Sequence, residues 1–175
     1  MKALIAAGLL LAPVLGQAAE PAESPTALTQ PSQSVPSALE FIRAAAMNDR
    51  YGLQADQLAA QRGSPRLRDF AQKLTADQAK SFDALKRIAV TRGAVGRIPD
   101  ELDREHRQRM DRLQAADAGS FDRAYLAGQI QADDEAIALF QRYAKDGGDK
   151  QLKDWAVETL PALQQRRTQA EALAR

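Results

Sequence analysis

Four stretches of this chain, each longer than twenty residues, place apolar side chains in steps of four and three, and none alternates apolar with polar residues. That period runs one apolar seam along an α-helix, whereas a half-buried strand needs a period of two. The seams read Leu39, Ile42, Ala46, Asp49 and Leu53, and then Leu67, Ala71, Leu74, Gln78, Ser81, Leu85 and Ile88. The third reads Leu126, Ile130, Asp133, Ile137, Phe140 and Ala144, and the last reads Leu152, Ala156, Thr159, Leu163, Arg166, Ala170 and Leu173. Four long helices with one inward seam each predict an all-α fold, a four-helix bundle.

Local signals mark the ends of these helices. Ser37-x-x-Glu40 is a capping box that opens a helix to about Gln61, stopped by Gly63. Ser64-Pro65 predicts an N-cap followed by proline at the first helical position, opening a helix to about Arg92. Gly93 and Gly96 end it, and Pro99-Asp100 is expected to start a shorter helix to about Ala116. At 1.5 Å per residue that helix spans about 25 Å, enough to cross most of the bundle between its two halves. Gly119 precedes a helix over Ser120 to Lys145, Gly147-Gly148 breaks it, and Asp149 caps a last helix to Leu173, within which Pro161 predicts a kink near Thr159.

The first eighteen residues say something different. Met1-Lys2, an apolar run from Ala3 to Leu15, and small residues at Gly16 and Ala18 have the three-part plan of a secretory signal peptide, too short to span a bilayer. Residues 19–36 hold four of the eight prolines, several serines and no aromatic residue, which predicts a flexible tether. The bundle domain is then expected over residues 37–173, in a periplasmic or extracellular protein. Without residues 1–18 the remaining 157 residues carry 23 basic and 23 acidic side chains, so no general attraction to nucleic acid or anionic lipid is expected. No cysteine is present, which excludes disulfides, a thiolate metal site and a lipid-anchored cysteine. No stretch after the signal peptide is apolar enough for a membrane span.

Three seams are interrupted near mid-helix by a polar residue: Gln78, Asp133 and Arg166. Unpaired buried charge is costly, so Asp133 and Arg166 are expected to pair, with Gln78 within hydrogen-bond reach. The alternative is a small rotation of the seams that turns these groups to solvent. Gly52 on the first helix and Gly128 on the fourth lie near the same level, and a mid-helix glycine predicts close approach or free volume.

Several blocks resemble a known family. Phe70-Ala71-Gln72-Lys73-Leu74 with Asp77 beyond it, Gly119-x-Phe121-Asp122-x-x-Tyr125, Ala136-Ile137-x-Leu139-Phe140, and Trp155-Ala156-x-x-Thr159-Leu160-Pro161-x-Leu163 resemble, in order and spacing, the bacterial exported domain of unknown function 4142. The resemblance covers about residues 37–173 and implies a ferritin-like four-helix bundle of unestablished biochemical role. It also implies histidines at three seam positions and a glutamate on the first helix; here those positions read Gln78, Asp133, Arg166 and Gly52. Clusters of His and Glu across facing helices hold transition metals, whereas Gln is a poor ligand, Arg repels metal and Gly offers nothing. This divergent copy is therefore expected to bind no metal.

Other candidates read as structure. His106, the only histidine, has Asp103 three residues before it, half of a di-metal motif without a second half. Asp133-Asp134-Glu135 point in different directions on a helix and read as one core residue plus a solvated face. Arg104, Arg107, Arg109 and Arg112 interleave with acidic residues and read as a solvated helix. Trp155 and Tyr125 read as core. The expected function is that of an exported, non-enzymatic helical-bundle protein of the bacterial envelope, a binding or stress-related module with an unknown envelope partner. No catalytic residue or cofactor is expected. The alternative is a ferritin-like metal-binding or metal-oxidising protein with a diverged site.

Overall fold

The computed structural model describes residues 34–175; the expected signal peptide and most of the expected tether lie outside the described residues. Five α-helices follow in order: α1 (Ala38–Arg62), α2 (Pro65–Thr91), α3 (Arg104–Ala115), α4 (Phe121–Asp146) and α5 (Lys150–Ala174). The described residues contain no strand. No helix among them is long and apolar enough to cross a membrane.

The caps explain these limits. The Ser37 hydroxyl accepts from the Glu40 N–H while the Glu40 carboxylate accepts from the Ser37 N–H at 2.8 Å, closing both sides of the capping box. Asp149 accepts from the Leu152 N–H at 3.0 Å at the start of α5. Ser64 precedes α2 as expected, but its hydroxyl makes no cap. Its N–H donates instead to the Asp122 carboxylate at 3.1 Å, tying the start of α2 to the start of α4.

The short helix begins later than Pro99-Asp100 suggests. Ile98 is extended, as a residue before proline prefers, and ends a single 3₁₀ turn, Val95–Arg97. Asp103 then caps α3 by accepting from the His106 N–H at 3.0 Å, and the Arg107 guanidinium donates to the Leu102 carbonyl. Leu102 is buried, so residues 99–103 serve to anchor an apolar side chain before the helix starts.

Each of the four long helices touches two others: α1 with α2 and α4, α5 with α4 and α2. Phe41 near the start of α1 stacks on Tyr143 near the end of α4, and Asp56 late in α1 meets Tyr125 early in α4, so these two helices are antiparallel. Arg92, just past α2, pairs with Asp149, just before α5, so α2 and α5 are antiparallel too. The chain thus runs down α2, returns along α3, and runs down α4 beside it in sense. The return segment packs on α1 and α4, where Arg62 donates to the Gln114 carbonyl at 2.8 Å.

The core falls into two apolar clusters. At the aromatic end, Phe41 stacks on Tyr143 with ring centroids 4.0 Å apart and meets Phe140 and Trp155 edge-on. Leu85, Ile88, Leu152 and Leu163 complete that cluster. At the other end Leu67, Phe70, Leu74, Met110, Phe121 and Leu126 pack together.

Two seams are rotated from the expected phase. On α4 Ile130, Ile137 and Ala144 are half-buried, while Gln129, Ala132, Ala136 and Tyr143 are buried. On α1 Leu39 is exposed and Leu53 half-buried, and the inward face runs through Ala45, Asp49, Gly52, Asp56 and Ala59. Both helices pack against three others, so a wider stripe than one seam is covered. The helix α5 continues through Pro161, and Thr159 donates its hydroxyl to the Trp155 carbonyl at 2.7 Å beside it.

Candidate functional site

The two apolar clusters are separated by side chains that a core normally rejects. Where α2, α4 and α5 pass from one cluster to the other they carry Gln78, Asp133 and Arg166, and α1 carries Asp49. Asp56, Tyr125 and Gln129 extend this polar layer by a turn or two toward the Phe121 end, following the same inner faces of α1 and α4. Asp56 and Asp133 are 0 % exposed, and Asp49, Gln78 and Gln129 are buried with them.

Arg166 Nε donates to Asp133 Oδ1 at 2.6 Å, and its Nη2 bonds the same oxygen. Tyr125 Oη donates to Asp56 Oδ1, also at 2.6 Å. No hydrogen bond joins Gln78 to Asp133 or Arg166 among the described residues, contrary to expectation. Its amide lies against Gly52 instead, where an added Cβ would meet Oε1 at 2.5 Å. Gly52 is the notch that admits Gln78 between α1 and α2, on the inner face between Asp49 and Asp56. Gly128, with Tyr51 Oη 3.1 Å from where its Cβ would stand, lets Tyr51 pack across the α1–α4 contact.

Burial sets the electrostatics of the layer. It lifts the Asp49 carboxyl from its usual range to about 7, with Arg166 opposing. It lifts Asp56 to about 7 as well, against the Tyr125 hydrogen bond and Arg166. Burial also pushes Asp133 up, opposed by the guanidinium bonded to it. Burial loosens the proton on Arg166, but Asp133, Asp49 and Asp56 together hold it above the ordinary range. Tyr125, buried and beside Asp56, is pushed well above the usual phenol range and stays neutral.

One depression opens onto the layer and another lies apart from it. Between α2 and α5 a cleft of about 350 Å³ is lined by Gln78 and Arg166 at its floor and by Lys73, Asp77, Thr159 and Gln169 toward its rim. Between α1 and α4 a cavity of about 380 Å³ is lined by Glu40, Met47, Asp103, His106 and Glu135. His106 Nδ1 lies 2.7 Å from Asp103 Oδ1, and its ring meets Tyr51 edge-on. No serine, threonine, cysteine or lysine is among the residues lining that cavity.

The acidic triplet diverges as a helix requires: Asp133 pairs with Arg166, Asp134 with Arg167, and Glu135 with Arg109. Arg109 corrects the expectation of a solvated basic face. It is buried, bonded to both oxygens of Glu135 at 2.8 Å and also to Glu105, and docks α3 onto α4. Sequence reasoning passed over Asp56, Gln129 and Arg109 as site residues. The one available signal for the first two was their spacing on the inner faces, Asp56 seven residues after Asp49 and Gln129 four before Asp133.

Among the described residues, no group of three or more His, Cys, Asp or Glu side chains is placed to hold a metal ion. The family model for Domain of unknown function (DUF4142) matches residues 21–173, nearly the whole chain. The chain belongs to the DUF4142 family. No curated protein and no solved structure gives a significant match to it.

Proposed function

We propose that this DUF4142 member is an exported, non-enzymatic helical-bundle protein of the bacterial envelope, a binding or stress-related module built on a ferritin-like four-helix bundle. The ferritin-like reading is supported by the chain order, two antiparallel hairpins joined by a return segment that brings α2 and α4 into the same sense. The observation that carries the non-metal, non-enzymatic reading is Arg166 bonded to Asp133 in the polar layer. A permanent cation there repels metal ions, and its guanidinium provides no redox or acid–base chemistry at ordinary pH. Export rests on the plan of residues 1–18. The test is to express the full chain in a Gram-negative host, fractionate the periplasm, and measure the mass and metal content of the product. A mass corresponding to a start at Ala19, with iron, manganese and zinc far below one per chain, is the expected result. A product retained uncleaved in the cytoplasm removes the envelope reading.

The alternative, a ferritin-like metal-binding or metal-oxidising protein with a diverged site, rests on the bundle architecture and not on a ligand set among the described residues. Near-stoichiometric metal in the same preparation decides for it.

A further inference from the structure

We propose that the mid-bundle layer is a proton-binding site: Asp49 and Asp56 carry protons while α1 is docked against α4, and lose them as the medium turns alkaline, weakening that docking. The inference does not depend on export or on the identity of a partner.

It starts from a count of charge. Three buried aspartates share the layer with one guanidinium, and Arg166 spends two of its donors on a single oxygen of Asp133. Ionising all three carboxyls would leave two uncompensated negative charges in a region of low dielectric, which proteins avoid by retaining protons.

Hydrogen bonding makes the same demand independently. Asp49 Oδ2, Asp56 Oδ2, Asp133 Oδ2, Gln78 Oε1 and Gln129 Oε1 are all buried acceptors that no protein donor reaches. The layer has too many acceptors and too few donors. Protonating a carboxylate removes its charge and converts one unmet acceptor into a donor, so each proton bound shifts the layer toward balance.

The surrounding charges do not supply an alternative. On α1 Tyr51 is neutral, and Arg50, half-buried with an unpartnered Nε, does not bear on either carboxyl. From α2 the layer receives only the uncharged Gln78, with Lys73 and Asp77 exposed at the cleft rim. On α3 Arg109 is held by Glu105 and Glu135, and Arg112 is exposed. On α4 Tyr125 is neutral and Asp134 faces Arg167, which is held on α5 by Asp134 and Glu171. Arg166 is the cation that bears on both Asp49 and Asp56, and it leaves both near neutrality in their titration. The α2–α5 cleft, with Gln78 and Arg166 at its floor, gives solvent protons a route to the layer.

The direction of the linkage follows. Both groups have folded values near 7 against an ordinary value of 3.8, so the folded state binds more protons than the unfolded chain between those limits. Their contribution is full below about pH 4 and is lost as pH rises through about 7.

The experiment is a carbon-13 carboxyl NMR titration of the purified full chain, together with denaturant unfolding from pH 5 to 8, on the natural protein and on D49N, D56N and D49N/D56N. The expected result is two carboxyls with midpoints near neutrality and a folded-to-unfolded ratio falling about tenfold per pH unit for each proton released. Asparagine mimics the protonated acid, so each single variant should remove part of that slope and the double variant most of it. Midpoints near 4 for both carboxyls in the folded protein overturn the proposal, as does a slope that survives intact in D49N/D56N. Because the titration is read on the natural protein, it decides even if a variant fails to fold.

Discussion

The amide of Gln78 rests against the α-carbon of Gly52, so close that a methyl group there would stand 2.5 Å from Oε1. The outcome of Gly52→Ala depends on which group gives way. Gln78 is long, its Oε1 has no partner, and it borders the α2–α5 cleft, so the amide can swing outward. Helix propensity favours alanine by about 1 kcal/mol, which offsets the cost of moving the amide. Gly52→Ala is therefore expected to change stability by less than about 1 kcal/mol. Gly147→Ala differs: its Cβ would meet the Tyr143 carbonyl at 2.5 Å and the buried Tyr143 ring at 2.6 Å, neither free to move. A loss of about 1–3 kcal/mol is expected there, read by denaturant midpoint.

Arg166→Leu leaves Asp133 buried without its cation and should cost about 3–5 kcal/mol. Replacing Asp133 and Arg166 together with apolar residues should cost much less, which a double-mutant cycle would show. Arg166 also opposes the upward shift of Asp49 and Asp56, so its removal drives both further toward protonation. The single-variant loss should consequently be smaller at pH 5 than at pH 8. Equal losses at both pH values would place the two aspartates outside its influence.

Tyr125→Phe removes the donor to Asp56 Oδ1 and leaves a carboxyl with both oxygens unmet. A loss of about 1–3 kcal/mol is expected. Since the phenol lowers the Asp56 pKa, the titration of Asp56 should move upward in this variant. A downward movement would contradict the assigned donor.

Arg109→Met keeps the length of the side chain but deletes its bonds to Glu135 and Glu105. Hydrogen exchange should accelerate selectively along α3, which is the shortest of the five helices and which this residue ties to α4 through Glu135. Uniform acceleration across all helices would mean that α3 does not open on its own.

The boundaries of α1, α2, α4 and α5 were legible because capping residues and glycines act within a few residues of where they stand. The polar interruptions at Gln78, Asp133 and Arg166 were legible for the same kind of reason: each sits squarely in a regular seam. Asp56 and Gln129 were not. Asp56 continues the first seam by one more step but lies past Leu53, the last residue of that seam as read from the sequence. Gln129 was missed because a helix of 3.6 residues per turn drifts from a strict seven-residue repeat, moving the buried face of α4 one residue over from Ile130. The start of α3 was missed because Pro99 carries a sound helix-start signal, yet the need to bury Leu102 keeps the chain irregular until Asp103. Arg109 looked like one of four alternating surface charges, and only tertiary packing selects it over Arg104, Arg107 and Arg112.

The return helix lies along one side of the molecule only, over α1 and α4, while α2 and α5 meet sparsely with a cleft between them. Such a molecule is expected to open like a bound book, with α3 as the spine and the α2–α5 contact as the fore-edge. Small molecules, water and exchange reagents should enter from the fore-edge, so amides of α2 and α5 beside the cleft should be labelled before those beneath the spine.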